Sequence, residues 1–363
     1  MLRWRLMLGF SIAISIATIC WLDVFLESCT QIPGLALFPL LLLLITLGGR
    51  EMLRLANRNH VYPVPYVVYL GCYLIAASAW GTFAFQHYSN QPGTPIPAVD
   101  VRLMEDADSA EFSQLMISAV VSETEKASSM VATENTVDVE SEEAKKSEVT
   151  RRRLLEKLEH LTPGNWALSA FAVAVILVFL QEMYTFVRPG AVNIRISYSI
   201  FTIVYVGLLP TFLAQIRLCH GLSALCAFIA IIKMGDVGAY TIGRLFGRNK
   251  MAPSLSPGKT IEGAFGALLF SVLTSLLFFY WIMPWMGTVC SQEKVVWWIL
   301  YGAALGFLGM LGDLAESLMK RDAEIKDAGT LVPGFGGVLD ILDSLLISAP
   351  VAYAFLTLEL LFD

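Results

Sequence analysis

Gly312 to Ser344 reads GDLAESLMKRDAEIKDAGTLVPGFGGVLDILDS. An apolar run at about 295–311 precedes it and another at about 345–361 follows it. Each is close to the length that crosses a bilayer as a helix. The stretch therefore places carboxylates at the mouths of two membrane helices, where an isolated charge is costly. Asp313, Glu316, Ser317 and Lys320 fall at i, i+3, i+4 and i+7, which is one helical face. Asp340, Asp343 and Ser344 repeat that spacing at the start of the next helix. Between the two faces lie Lys320, Arg321, Lys326 and Asp327, then the turn Pro333-Gly334-Phe335-Gly336-Gly337. Two acidic faces joined by a basic, glycine-rich turn predict a pocket for a divalent cation and phosphates. Hard cations take oxygen ligands, and glycine turns and helix starts present N–H groups to anions.

The energetic argument points the same way. A carboxylate deep in a bilayer costs about 2.5–3.5 kcal/mol on insertion scales. Asp313, Glu316, Asp340 and Asp343 would together cost on the order of 10 kcal/mol if unpaired, less at the interface. A bound cation explains two facing acidic surfaces better than neighbouring lysines do.

The 363-residue chain as a whole is apolar, with 15% charged residues and a mean hydropathy of +0.64. Repeated runs of membrane length make it an all-α, polytopic membrane protein. Nine spans are expected, at about 6–26, 33–48, 63–86, 165–186, 194–216, 220–243, 261–284, 294–315 and 338–361. The first follows Arg3 and Arg5 and reads as a retained span, since it has no clear small-residue cleavage site. Three regions result: a three-helix part at 1–86, an acidic insert at 87–164 and a six-helix catalytic part at 165–363. The insert is rich in Glu, Ser and Thr, and its composition predicts disorder; RRRLLEKLEHL near its end reads as a short amphipathic helix. A tolerated insertion is the favoured reading over a regulatory or partner-binding role.

Basic residues follow alternate spans: Arg50, Arg54 and Arg58, then Arg188 and Arg195, then Arg244, Arg248, Lys250 and Lys259, then Lys320, Arg321 and Lys326. The positive-inside rule puts these segments, and the 312–344 pocket, on the cytoplasmic side of the cell membrane. The net charge of −6 carries little information, because the acidic insert dominates it. No nucleic-acid partner is expected. The six cysteines form no CxxC pair and the four histidines are scattered, so zinc chemistry and a disulfide framework are not indicated.

Two further polar clusters stand out. Asp236, Tyr240 and Arg244 lie at i, i+4 and i+8 at the end of an apolar span, with Lys233 three residues before Asp236. Lys233 and Asp236 could simply neutralise each other. Downstream, Ser256-Pro257-Gly258-Lys259-Thr260 reads as a tight turn before a helix, with Glu262 in its first turn. The fragment GKT lacks the earlier glycine and the preceding strand of a P-loop, so that reading is rejected.

These three ordered motifs resemble the phosphatidate cytidylyltransferase (CDP-diacylglycerol synthase) family. The resemblance is carried by Asp236-x-x-Ala-Tyr240-x-x-Gly243-Arg244, by Ser256-Pro257-x-Lys259-Thr260-x-Glu262-Gly263, and by Gly312-Asp313 and Glu316 to Asp343. Phe335 stands where that family usually has histidine, and Ile341 where it usually has arginine. The resemblance implies a homodimeric membrane enzyme that joins CTP and phosphatidate to give CDP-diacylglycerol and diphosphate. It implies Mg2+, with a second, monovalent cation as an option. Asp313 and Asp340 are then the leading metal ligands, with Glu316 and Asp343 next. Lys320, Arg321, Lys326 and Asp327 would serve catalysis. Substrate contacts would come from Asp236, Tyr240, Arg244, Ser256, Lys259, Thr260, Glu262, Ser317, Gly336 and Gly337. The residues leave rivals: a CTP-dependent lipid kinase of the polyprenol type, an ion-coupled transporter, and a non-catalytic scaffold.

Overall fold

A computed structural model describes residues 18–30, 33–89, 163–186, 190, 192–286, 292–326, 328–329, 336–358 and 360–361. The chain divides into two compact units, Met1–Ala84 with Pro163–Asp363, and Phe85–Thr162. The description below concerns the first. Most of the first expected span and of the acidic insert, with Asp327 and Pro333-Gly334-Phe335, lies outside the described residues.

Among the described residues the unit is built of helices and their connecting loops, with one hairpin. Residues 18–30 form α1. Then come α2 (Leu37–Arg58), α3 (Pro65–Ser89) and α4 (Pro163–Tyr184). Helix α5 (Val192–Thr202) passes through a π-helical turn, Ile203–Leu208, into α6 (Leu209–Phe246). A hairpin, β1 (Lys250–Ala252) and β2 (Ser256–Thr260), leads into α7 (Ile261–Leu277). Helices α8 (Val295–Asp322) and α9 (Leu339–Thr357) complete the unit.

Among the described residues, five helices are long and apolar enough to cross a membrane. They establish an all-α membrane protein but fall short of the nine spans expected, for identifiable reasons. The two spans expected at 194–216 and 220–243 fall in one continuous segment, Val192–Phe246, 55 residues long. Gly221 interrupts it at φ 85° and ψ 174°, a backbone conformation that L side chains rarely adopt. Helix α2 runs on to Arg58 and carries Arg50, Glu51 and Arg54, which dilute its hydropathy. The expected tight turn at Ser256–Thr260 is instead strand β2, paired antiparallel with β1 through Lys250↔Thr260 and Ala252↔Ser256. The turn falls three residues earlier, at 253–255, where Pro253 and Ser254 supply turn chemistry too.

Small residues bring the helices together, as in other membrane bundles. On α6, a Cβ added at Gly238 would lie 2.5 Å from the carbonyl of Gly266 and 2.6 Å from Phe270, both on α7. On α8, Gly302 and Gly306 face Ser271 and Ser275 of α7 in the same way. The buried core beneath the site includes Phe228, Ile232, Trp298, Tyr301 and Leu305. These contacts fix α6, α7, α8 and α9 as one group, and the polar site lies at one end of it.

Candidate active site

The site begins with a glycine. Gly312 on α8 packs directly on the main chain of α9, with the Cα of Ser344 2.9 Å from where its Cβ would be. Contact this close places the next residue, Asp313, beside Asp343. Glu316, one turn along α8, completes the group. One carboxylate oxygen from each of Asp313, Glu316 and Asp343 lies within 4.8 Å of the others. Three ionised carboxylates at that separation repel by about 3–4 kcal/mol per pair at an effective dielectric of 20. Two lysines offset part of this. Lys259 Nζ lies 2.7 Å from Asp313 Oδ2, and Lys320 Nζ lies 2.8 Å from Glu316 Oε2. The other Glu316 oxygen, Oε1, is buried without a hydrogen-bond partner among the described residues. A buried acceptor left unpaired is costly. Its position among three converging oxygens fits a hard divalent cation, which takes just such a donor set.

Asp340, the other leading ligand expected, is engaged differently. Its Oδ1 pairs with Lys320 Nζ at 2.6 Å, and its Oδ2 accepts the N–H groups of Gly337 at 2.6 Å and Ala328 at 3.1 Å. It therefore ties the start of α9 to the end of α8 while still lining the cavity. The turn is built tightly around it. Gly336 has a φ of 96°, and any side chain there would meet the Asp340 carboxylate. Sequence reasoning gave the glycine-turn amides to phosphate. In the structure the Gly337, Val338 and Leu339 amides donate within the protein, to Asp340 and to Glu51. Gly336 and Gly337 provide room for those carboxylates.

A cavity of about 660 Å³ opens beside the acidic group. Its walls include Asp236, Tyr240 and Arg244 from α6, Ser256, Lys259 and Thr260 from β2, and Asp313, Asp340 and Asp343. Three separate motifs of the sequence thus share one cavity. Lys233 Nζ lies 3.1 Å from Asp236 and also donates to Ser344 Oγ at 3.0 Å and the Ile341 carbonyl at 3.3 Å. The expected neutralisation is present, and it also links α6 to α9. Arg244 donates to the Tyr240 hydroxyl at 2.7 Å. Thr260 caps α7, its hydroxyl accepting the Gly263 N–H at 3.1 Å.

Other expected residues do not line the cavity. Glu262 accepts the backbone and side-chain N–H groups of Asn249 and so fastens the hairpin to α7. Arg321 donates to the Leu255 carbonyl at 3.1 Å, holding the hairpin tip against α8. Ser317 is buried and Lys326 is exposed. The residue that sequence reasoning missed is Glu51 on α2, only 1% exposed, which reaches the start of α9. The signal was available: a lone carboxylate following LLLLITLGGR in an apolar helix.

Comparison with known proteins agrees with this geometry. Residues 155–359 match the Cytidylyltransferase family. The chain is 33% identical over 238 residues to a phosphatidate cytidylyltransferase of Synechocystis sp., an alignment covering 55% of this chain and 73% of that protein. Against the Chlamydia trachomatis phosphatidate cytidylyltransferase the identity is 34% over 213 residues, covering 56% of this chain and 60% of that one. Against that of Staphylococcus epidermidis it is 35% over 179 residues, covering 49% and 65%. The match at 155–359 takes in every residue that lines the cavity, and the chain belongs to the Cytidylyltransferase family.

Proposed function

We propose that this chain is a phosphatidate cytidylyltransferase. The observation that carries the reading is the convergence of Asp313, Glu316 and Asp343, with Asp313, Asp343 and Lys259 lining a cavity large enough for a nucleotide. A phosphate oxygen of phosphatidate forms a bond to the α-phosphorus of CTP, and the bond from that phosphorus to the bridging oxygen of the β-phosphate breaks. CDP-diacylglycerol and diphosphate are the products. The nucleophile is already an anion, so no strong general base is required. The difficulty is that two anions must meet.

The protein addresses that difficulty with placed charge. Asp313, Glu316 and Asp343 would hold Mg2+, and the ion would supply positive charge to offset that of the phosphates. Lys259 and Arg244 line the same cavity and offer donors to the triphosphate. Tyr240, held by Arg244, presents an aromatic wall to the nucleotide. Asp340 and Lys320 keep α9 and α8 in register, so the three carboxylates stay converged. The membrane is that of the cell, the site faces the cytoplasm where CTP is found, and phosphatidate enters sideways from the adjoining leaflet. Nine spans in the full bundle follow from the hydropathy of the sequence, and a homodimer only from the motif resemblance.

The test is a product assay on purified protein with labelled CTP, vesicles containing phosphatidate, and magnesium present or chelated. CDP-lipid and diphosphate, formed only with magnesium, are expected. Phosphorylated lipid together with CDP would instead make the protein a lipid kinase, and no turnover under any condition would end the reading.

A further inference from the structure

The matched region begins at residue 155, yet one side chain from far outside it enters the turn ahead of α9. We infer that Glu51 on α2 is a positioning residue for the reaction, setting the turn that places Asp340 and Asp343. Glu51 Oε1 accepts the Val338 N–H at 3.0 Å and Oε2 accepts the Leu339 N–H at 2.9 Å. These amides sit at the start of α9, where a helix leaves its first N–H groups without internal partners. A carboxylate there also meets the positive end of the helix dipole.

The fit is tight. Gly329 and Gly337 both press on the Glu51 carboxylate, and a Cβ at either position would strike it. From Gly337 the contacts run onward: its N–H goes to Asp340, Asp340 to Lys320, and Lys320 to Glu316. Glu51 thus acts on the acidic group through the turn and touches none of the reacting atoms. A second contact between α2 and the catalytic helices provides a control. Asn59 Nδ2 donates to Asp322 Oδ2 at 2.6 Å at the exposed end of α8, away from the turn.

The kinetic arm of the test rests on the cytidylyltransferase reading, and the metal arm does not. Full-length Glu51→Gln, Gly337→Ala and Asn59→Ala proteins are compared with the unaltered chain. Magnesium alone is titrated while hydrogen exchange is followed over 313–344, and CTP turnover is measured in parallel. Glu51→Gln keeps the shape but puts an NH2 against an amide N–H. Gly337→Ala pushes the turn off an intact Glu51, and it decides the matter if Glu51→Gln does not fold. Both should need about tenfold more magnesium for protection and lose about tenfold or more in kcat, the range for groups that orient metal ligands. KM for CTP should move by less than about threefold, and Asn59→Ala should track the unaltered chain. A lower melting temperature with magnesium requirement and kcat within about twofold of the unaltered chain would reduce Glu51 to a packing role. Without CTP turnover but with the magnesium shift, the function fails and the positioning stands. Without magnesium protection in the unaltered chain, the positioning fails.

Discussion

Asp313 and Asp343 belong to different helices, and in the proposed reading a shared cation, together with Lys259, offsets the repulsion of their approach. Their oxygens and one of Glu316 lie within 4.8 Å, and one lysine serves Asp313 while another serves Glu316. Asparagine at either aspartate keeps the volume but removes one anionic donor. Turnover of Asp313→Asn and of Asp343→Asn should fall by on the order of 100-fold or more, as when other charge-stabilising groups are removed from an active site. The magnesium concentration for half-maximal rate should rise in both. Steady-state assays across a magnesium series check this, and a near-normal rate in either variant would remove that residue from the ligand set. Asp340→Asn differs in kind, since Asp340 spends its oxygens on Lys320 and two backbone amides. Its loss should appear first as loosened structure at the start of α9.

At the scale of elements, the site depends on how closely α8 approaches α9. Gly312 permits that approach, and the atoms a Cβ would strike are main chain of Asp343 and Ser344, which cannot rotate aside. Gly312→Ala should therefore part the two helices locally and cost about 1–3 kcal/mol in stability, the usual range for overpacking. Activity should fall further than the melting temperature suggests, because Asp313 moves with the displaced backbone. Thermal unfolding in detergent and the magnesium-dependent rate, measured on one preparation, test the pair of effects. An unchanged rate would show that the helices have slack. These elements also show what sequence can and cannot disclose. The three-residue spacing of Asp313 and Glu316 puts both on one face of α8 without knowledge of any partner. The same spacing in Asp340 and Asp343 did not decide which joins Asp313 and Glu316: the resemblance ranked Asp340 first, whereas Asp343 joins them and Asp340 pairs with Lys320. That choice depends on the rotation of α9, which the turn and Glu51 fix from 287 residues away. Periodicity is local, and a hydrogen bond of that separation leaves no mark on it. Likewise Pro257 and Gly258 suggested a turn, whereas the pairing of Lys250 with Thr260 made the segment a strand.

Across the whole unit, the basic ends of several helices are gathered by direct contact. Asn59 at the end of α2 meets Asp322 at the end of α8, Arg321 holds the hairpin at Leu255, and Glu51 holds the start of α9. Elsewhere Asp23 and Glu27 of α1 pair with Arg217 of α6, at 2.8 and 2.6 Å. Lys and Arg outside the bilayer favour the cytoplasmic side, so the end that holds the hairpin and the cavity should face it. A nucleotide substrate requires the same orientation, since its triphosphate cannot cross the hydrocarbon layer. Ser254 makes the orientation measurable, because it is exposed in the turn between β1 and β2 and is not among the residues that line the cavity. In a background with the six native cysteines changed to serine, Ser254→Cys should retain activity. A membrane-impermeant maleimide should label it in inverted vesicles and leave it unlabelled in intact cells until the membrane is opened. Labelling from outside intact cells would place the cavity away from its nucleotide. The charge argument for orientation and the choice of CTP as substrate would then fail together, because both rest on which side of the membrane this hairpin occupies.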